Sequence, residues 1–293
     1  MADIAAVLRD ATGRLKAAGC DTPRLDAVLL LAQALDVSPD RVRLSPDMKL
    51  DADAAARFAA MLARREKREP VSHILGHREF WGLDFKVSPA VLDPRPDSET
   101  LVQAVLAAVL DRSGPHRRGP DRGAPLRLVD FGTGSGCLLL ALLHELPQAT
   151  GLGVDASQAA LDMARGNAAA LGLAGRAEFR LGDWGAGLAG PFDILISNPP
   201  YIESAAIAGL EQDVRQYEPL SALDGGKDGL DCYRRLIPDM ARLAARDAVL
   251  ALEVGQGQAD AVAGLLAAQG LAGIGCIYDL GGVARVVQAR NTA

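Results

Sequence analysis

The chain has few cysteines and no run of apolar residues long enough to cross a bilayer. Its four cysteines are far apart, form no Cys-x-x-Cys pair and have no histidine cluster beside them. This spacing argues against a zinc site or a disulfide framework and favours isolated thiols in a reducing compartment. A membrane-spanning helix needs about 20 apolar residues, and no basic segment precedes an apolar one at the start. We therefore expect no metal, no membrane contact and a cytoplasmic location.

An excess of positive charge is also lacking. Lysine and arginine number 31 against 37 acidic residues, which gives a net charge of -6. Nonspecific binding of nucleic acid depends on many cationic contacts to phosphates, so we expect no direct nucleic-acid partner. A hydrophobic content of 49% over 293 residues is ample for a folded chain with more than one core. One small and one large domain is the natural expectation.

Three helices are predicted in the amino-terminal third. Apolar residues recur at three- and four-residue steps over 4–18, 23–35 and 51–68, with Thr22 as a cap and Pro23 in the first turn of the second helix. The mixed charges of 64–69 predict a solvated helix end. These helices would form a bundle over residues 1–70, and its role is either to recognise a partner or to cover one side of the larger domain.

Residues 71–96 are predicted to form a β-hairpin followed by a stiff loop. Short apolar and aromatic segments over 73–75 and 79–87, separated by glycines, are typical of a hairpin. Prolines on both sides of Arg95 fix the backbone there. Such an arginine has a structural role, or it orients a substrate or closes over a cofactor. Residues 112–125, rich in glycine, proline and arginine, read as a solvated linker.

The remaining residues, 97–293, alternate strands with helices. Apolar strands are predicted over 126–131, 150–154, 177–181, 192–197 and 248–254, a pattern typical of an α/β protein with an open, mostly parallel, Rossmann-like sheet. Two last strands, near 274–278 and 284–288, are separated by a short turn and should form an antiparallel hairpin. This combination points away from a dehydrogenase. The segment 202–228 is long enough to act as a substrate lid.

A glycine-rich turn follows the first of these strands. Its residues are Gly132, Thr133, Gly134, Ser135 and Gly136. Glycines let a ligand approach the backbone, and the next helix begins with free N–H groups. A dinucleotide fingerprint would need glycine where this chain has Cys137, so the spacing suits a cofactor without a pyrophosphate.

Acidic residues follow the second and third strands. Asp155 could accept hydrogen bonds from both hydroxyls of a ribose, or it could cap the next helix, as Ser157 could also do. Asp183 could accept from an adenine amino group while Trp184 covers the ring. Because the carboxyl ends of parallel strands meet at one edge, these groups should lie near the glycine turn.

The fourth strand ends in Asn198-Pro199-Pro200-Tyr201. The side-chain oxygen of Asn198 and the carbonyl of Pro199 can each accept a hydrogen bond, and Tyr201 offers a ring face. A primary amide or the exocyclic amine of a base fits such a pair of acceptors. The alternative is a Pro-Pro turn that only ends a strand.

In this order, the motifs resemble the HemK/PrmC family of class I S-adenosylmethionine-dependent methyltransferases, which methylate a glutamine of peptide chain release factors. The motifs that carry the resemblance are Arg24-Leu25-Asp26-Ala27, Pro70, Gly76, Glu79-Phe80, Leu92-Asp93-Pro94-Arg95-Pro96-Asp97-Ser98-Glu99, Asp130-Phe131-Gly132-Thr133-Gly134-Ser135-Gly136, Gly182-Asp183-Trp184, Asn198-Pro199-Pro200-Tyr201-Ile202 and Asp224-Gly225-Gly226-Lys227-Asp228-Gly229-Leu230. Asp93, His73 and Phe131 depart from the usual pattern. The resemblance implies the class I methyltransferase fold with a small helical domain.

The resemblance also implies a cofactor, a partner and site residues. S-adenosylmethionine would be the methyl donor and S-adenosylhomocysteine the product. The turn 132–136, Asp155, Asp183, Trp184 and Asn198 would hold the cofactor. The target would be the glutamine of the Gly-Gly-Gln loop in class 1 release factors. Asn198, Pro199 and Tyr201 would be the catalytic residues, and Asn198, Pro199, Pro200, Tyr201 and Arg95 would bind the substrate.

Three other functions fit parts of this pattern. The Asn-Pro-Pro-aromatic motif could serve an amino-methyltransferase acting on adenine or guanine in nucleic acid, which the acidic charge balance disfavours. The target glutamine could belong to a ribosomal protein. The chain could also bind the cofactor without activity and serve as a platform for partners.

Overall fold

The computed structural model describes residues 2–45, 47–112 and 125–292, and these residues form two compact units. The first unit runs to His77 and includes Glu211–Tyr217, and the second contains the rest. The predicted linker 112–125 lies almost entirely outside the described residues. No helix in the described ranges is long and apolar enough to cross a membrane.

The helices and strands follow one another along the chain much as the sequence predicts. Up to residue 112 they are β1 (Ala2–Asp3), α1 (Ile4–Ala17), α2 (Pro23–Leu35), α3 (Pro39–Leu44), β2 (Lys49–Leu50), α4 (Ala52–Arg65), α5 (Val71–Leu75), β3 (His77–Phe80), β4 (Leu83–Lys86) and α6 (Glu99–Arg112). From residue 125 they are β5 (Arg127–Phe131), α7 (Cys137–Glu145), β6 (Thr150–Asp155), α8 (Gln158–Ala170), β7 (Ala177–Leu181), β8 (Phe192–Ser197), α9 (Gln212–Tyr217), α10 (Asp231–Leu243), β9 (Ala244–Glu253), α11 (Ala259–Ala268), β10 (Ala272–Tyr278) and β11 (Ala284–Arg290).

The first unit is a small helical domain around one apolar core. The predicted helices are confirmed as α1, α2 and α4, and α2 buries residues on most of its surface, including Leu30 and Leu31. The short helix α3 was not predicted, although Ser38 caps it by accepting from the Arg41 N–H. The hairpin prediction was wrong for 73–75, which lie in helix α5.

A buried ion-pair network fixes helix α9 within this first unit. Arg65 donates from Nε to Asp26 at 2.7 Å and from Nη1 to Asp213 at 2.8 Å, and Arg68 also donates to Asp213. The side chains of Arg65 and Asp26 are only 6% and 5% exposed. The prediction of a solvated helix end over 64–69 was therefore wrong for Arg65, because acidic partners distant in sequence neutralise it.

A seven-stranded sheet forms the centre of the second unit. Its strand order is β10-β11-β9-β8-β5-β6-β7. The five strands from β9 to β7 are parallel, and β11 pairs antiparallel with both β9 and β10. This confirms the predicted Rossmann-like sheet with an antiparallel carboxyl-terminal hairpin.

Helices cover both faces of the sheet because alternate strand residues point to opposite sides. Leu128 of β5 belongs to a core with α6, α7 and α8, whereas its neighbour Val129 belongs to a core with α10 and α11. Gly151 of β6 has no side chain, and this lets α7 approach the sheet. A Cβ at Gly151 would lie 2.6 Å from Leu139 Cδ1. The helices thus cover the two faces of the sheet, and the loops that follow the parallel strands lie at its carboxyl edge.

The strands β3 and β4 form the predicted hairpin. Trp81 and Gly82 connect them with φ angles of 55° and 68°, the left-handed pair that suits a two-residue turn between twisted strands. The Trp81 N–H donates to the Glu99 carboxylate at 2.9 Å, and Phe80 packs edge-to-face on Phe85 at 6.2 Å. These contacts attach the hairpin to the start of α6.

Replacing Arg65 with alanine should destabilise the helical unit strongly. The variant leaves the buried Asp26 and the partly buried Asp213 with less neutralising charge, and breaking a buried pair typically costs about 3 to 5 kcal/mol. Urea denaturation followed by hydrogen exchange of α1 to α4 measures it. The control is Arg43→Ala, which removes an exposed pair with Asp40 and should have little effect. Equal stability of the two variants would contradict the importance of the buried network.

Candidate functional site

A cavity of about 500 Å³ lies at the carboxyl ends of the parallel strands and contains most of the predicted site residues. The predicted residues that line it are Gly132, Thr133, Gly134, Ser135, Asp155, Asp183, Trp184, Asn198, Pro200 and Arg95. Gly136, Pro199 and Tyr201 are not among the lining residues. A volume of this size suits a small-molecule ligand.

The glycine turn folds back on strand β6. Its three glycines have φ angles of 71°, 54° and 80°. Residues with a side chain rarely adopt this left-handed backbone conformation. The Gly134 N–H donates to the Asp155 carboxylate at 2.9 Å, which ties the turn to the end of β6. At Gly136 a Cβ would lie 3.2 Å from Ala164, so this glycine serves packing against α8.

Asp155 lies on the cavity wall and is not the cap of α8. Ser157 caps that helix, because its side chain accepts from the Ala160 N–H at 3.3 Å. The two oxygens of Asp155 accept from the N–H groups of Gly134 and Ser157. A carboxylate has about four acceptor positions, so Asp155 keeps positions for further donors on the cavity side.

Asp130 is a buried carboxyl group below the glycine turn. It is 1% exposed, and Thr133 Oγ1 donates to its Oδ2 at 2.7 Å. Burial raises the pKa of Asp130 to about 7, with a further contribution from the charge of Asp155, while the Thr133 hydrogen bond opposes the rise. Oδ1 has no hydrogen-bond partner among the described residues.

Asp183 already has a cationic partner at the cavity. Its two oxygens accept from Arg235 Nη2 at 2.8 and 2.6 Å, and both side chains are exposed. Arg235 also lines the cavity and was not predicted. The Trp184 ring lies over the glycine turn, since a Cβ at Gly132 would be 3.7 Å from it. Any ligand donor that reaches Asp183 therefore shares the carboxylate with Arg235.

The loop that carries Arg95 and Ser98 lies at the same cavity wall as Asn198. Asn198 Nδ2 donates to Ser98 Oγ at 3.3 Å, and Ser98 is 3% exposed. Arg95 lines the cavity and hydrogen-bonds to the buried carboxylate of Glu218. Arg95 thus has both a structural partner and access to a ligand, so the alternatives for its role are not mutually exclusive.

The backbone of Tyr201, at the end of the Asn-Pro-Pro-Tyr motif, is in close contact with neighbouring segments. Gln258 Nε2 donates to the Tyr201 carbonyl at 3.0 Å, and a Cβ at Gly225 would lie 2.7 Å from Tyr201 Cα. Tyr201 packs against the core of α10 and α11. Burial raises its pKa to about 12, and the Glu253 carboxyl adds to the rise. The motif 224–230 therefore acts as a close backbone support.

Comparison with known proteins identifies the family. Residues 6–76 match the PrmC N-terminal domain and residues 120–213 the methyltransferase small domain. A release factor glutamine methyltransferase of Rhodospirillum rubrum is 50% identical over 280 residues, covering 96% of this chain and 82% of the relative. One of Bradyrhizobium diazoefficiens is 44% identical, covering 97% and 93%. The chain belongs to the release factor glutamine methyltransferase family. Its predicted family is therefore confirmed.

A solved structure shares the fold of this family member. The hMettl16 catalytic domain, in complex with MAT2A 3'UTR hairpin 6, aligns with a TM-score of 0.57 at 16% identity. The alignment covers 90% of this chain and 92% of that one. At this identity the likeness supports the class I methyltransferase architecture alone.

Several residues around the cavity escaped the sequence analysis of this family member. Ser98 and Asp224 stand within motifs that carry the family resemblance, whereas nothing nearby in sequence singles out Arg235, Gln258 or Glu253. Except for Asp224, their relevance depends on interactions with Asn198, Tyr201 and Asp183, which are distant in sequence and come together only in the fold.

The raised pKa of Asp130 predicts a pH-dependent stability. The folded chain binds this proton more tightly than the unfolded chain, so its stabilising contribution is present below about pH 4 and is lost as the pH rises through about 7. The free energy of unfolding should fall by up to about 1.4 kcal/mol per pH unit between about pH 5 and 7. Asp130→Asn should lack this contribution, so its stability relative to wild type should increase with pH. Urea denaturation across this range measures the difference, and a constant difference would contradict the assignment.

Proposed function

We propose that this chain transfers the methyl group of S-adenosylmethionine to the side-chain amide nitrogen of the glutamine in the Gly-Gly-Gln motif of class 1 peptide chain release factors, and so modulates translation termination. The observation that carries the proposal is the placement of Asn198. Its side chain lies on the wall of the cavity, and no hydrogen bond among the described residues ends on its Oδ1. The names of the curated relatives support the same reaction.

The groups along the cavity fit S-adenosylmethionine. The left-handed glycine turn leaves room for a ligand next to the backbone, and a Cβ at Gly134 would meet nothing within 4 Å. Asp155 has acceptor positions left for the ribose hydroxyls, and Trp184 offers a ring face for the adenine. Asp183 would accept from the adenine amino group beside Arg235. The other residues of the turn, Thr133, Ser135 and Gly136, would complete this side.

Positioning is the main task of the protein groups in this reaction. When bound, S-adenosylmethionine supplies an electrophilic methyl group on a positively charged sulfur. An amide nitrogen is a weak nucleophile because its lone pair is delocalised into the carbonyl. Asn198 Oδ1 and the Pro199 carbonyl would accept the two N–H bonds of the target and hold its nitrogen in line. Both acceptors also stabilise the positive charge that develops on that nitrogen.

Further residues would bind the rest of the Gly-Gly-Gln loop of the release factor. Pro200 and Arg95 line the cavity beside Asn198 and would contact the substrate backbone or side chain. Tyr201 would pack on the target carboxamide after a movement of its ring toward the cavity. The helical unit would recognise the release factor. The segment 202–228 contributes Pro219 and Ser221 to the cavity wall and would act as a lid.

The direct test is methylation of a purified release factor. Incubation with labelled S-adenosylmethionine followed by mass spectrometry should place the label on the glutamine of the Gly-Gly-Gln motif. A release factor with that glutamine replaced by alanine is the control and should remain unlabelled. Parallel reactions with ribosomal proteins and with RNA cover the alternative substrates. Label in either of those, without label in the release factor, would overturn the assignment.

Replacement of Asn198 should abolish transfer while the fold is kept. Asn198→Ala removes an acceptor that acts on the reacting nitrogen, so the rate at saturating cofactor should fall at least about a hundredfold. Asn198→Asp should fail as well, because it loses the Nδ2 donor to Ser98. Gln269→Ala, an exposed amide at the end of α11, is the matched control. Near-normal transfer by folded Asn198→Ala would contradict the mechanism.

A further inference from the structure

Glu253 is a buried acid directly behind the proposed methyl-acceptor site. It is the last residue of β9 and is 1% exposed. Parallel pairing aligns Leu252 of β9 with Ser197 of β8, so Glu253 and Asn198 follow a matched pair at the same sheet edge. Sheet register therefore places the acid next to the Asn198 side chain.

Glu253 has no ion pair in the described part of the chain. The charge of Arg285 acts on it, but Arg285 pairs with Asp97 at 2.9 Å and with Asp279 at 3.1 Å. Its Oε2 is buried and has no hydrogen-bond partner among the residues that the structure describes. Burying an unpaired carboxylate costs several kcal/mol, so a purely structural position would favour an apolar residue.

Ser98 and Asn198 are the neutral side chains that act on this acid and lower its pKa. Asn198 Nδ2 donates to Ser98 Oγ at 3.3 Å, which leaves the single hydroxyl proton of Ser98 free to donate elsewhere. A Ser98 proton directed at Glu253 would complete a chain of donors from Asn198 through Ser98 to the acid. In this arrangement the NH₂ group of Asn198 is engaged by Ser98, and Oδ1 is left for a ligand.

The Ser98 hydroxyl alone cannot fix the orientation of the Asn198 carboxamide. Ser98 can accept from Nδ2 or, with its proton reversed, donate to a flipped Oδ1, so both orientations of the Asn198 amide are possible. A carboxylate only accepts, and it forces the Ser98 proton toward itself. We propose that Glu253 is a positioning residue that fixes the Asn198 carboxamide, through Ser98, with its oxygen facing the methyl-acceptor site. This inference rests on the proposed function of Asn198.

Protonation of Glu253 would remove this control, because a neutral carboxyl can donate as well as accept. Burial raises the pKa of Glu253 to about 7, and Asp97 adds to the rise, while Ser98, Arg285 and Asn198 oppose it. The Tyr201 hydroxyl also lies within the influence of this acid. Transfer should therefore increase as the pH rises through about 7.

The test compares Glu253→Gln with wild type in the release factor assay. A glutamine carboxamide keeps the shape but can donate to Ser98, so the orientation of Asn198 is no longer fixed. We expect kcat to fall at least about tenfold. The Kd for S-adenosylmethionine should change by less than about threefold, and the rise of kcat through about pH 7 should be lost. Glu178→Gln, the same change at an exposed position of β7, is the control.

Ser98→Ala provides an independent arm. It keeps the buried acid and breaks the donor chain, so kcat should fall with an unchanged Kd for S-adenosylmethionine. In the double variant the two effects should not multiply, because both act through one chain. If Glu253→Gln does not fold, Ser98→Ala decides, and an unchanged kcat overturns the proposal. So does a folded Glu253→Gln with wild-type kcat and pH profile.

Failure of the proposed function has a different signature. In that case wild type itself would leave the release factor unlabelled, whereas failure of the Glu253 inference leaves wild type active and the variants equally active. Wild type labelled on the expected glutamine, with both variants impaired, supports the two proposals together.

Discussion

Parallel pairing of five strands is the constraint on which the rest of the site depends. From β9 to β7 each strand aligns with the next, so the chain leaves the sheet at one edge five times. The glycine turn, Asp155, Asp183 and Asn198 each follow one of these strand ends. Residues distant in sequence therefore share one cavity without any of them needing a long loop to reach it.

The same edge carries polar groups that are unfavourable for stability. Asp130 and Glu253 are each 1% exposed, and burial raises the pKa of both to about 7. One oxygen of each has no hydrogen-bond partner in the described residues. The apolar strands and the two helical layers provide the stability that lets this edge keep such groups. In the proposed site Glu253 would help to orient the Asn198 carboxamide, which an apolar residue could not do.

Much of the fold was predictable, because its signals are local. Strand ends with Gly132, Asp155 and Asn198 show a change from apolar to polar residues within a few positions, and the antiparallel end of the sheet follows from the short turn before Ala284. The family resemblance came from the same motifs. Helix α5 was missed because five residues carry too little periodicity to distinguish a helical turn from a short strand.

Contacts between distant residues were the part that the sequence could not predict. Arg65 stands in a charged run typical of a solvated helix end, and only its pairing with Asp26 and Asp213 makes it a buried residue. Likewise, Glu253 ends an apolar strand, and its position behind Asn198 depends on the register of β8 and β9. Composition and periodicity carry no information about such pairings.

In the proposed reaction, Asn198 and Pro199 present two acceptors to a glutamine amide. A crystal structure of the chain with S-adenosylhomocysteine and a peptide containing the Gly-Gly-Gln motif tests it most directly. We expect the glutamine amide nitrogen to lie within about 3 Å of both Asn198 Oδ1 and the Pro199 carbonyl oxygen, facing the sulfur. A bound glutamine whose nitrogen meets neither oxygen, or an Asn198 that turns Nδ2 toward it, would contradict the account.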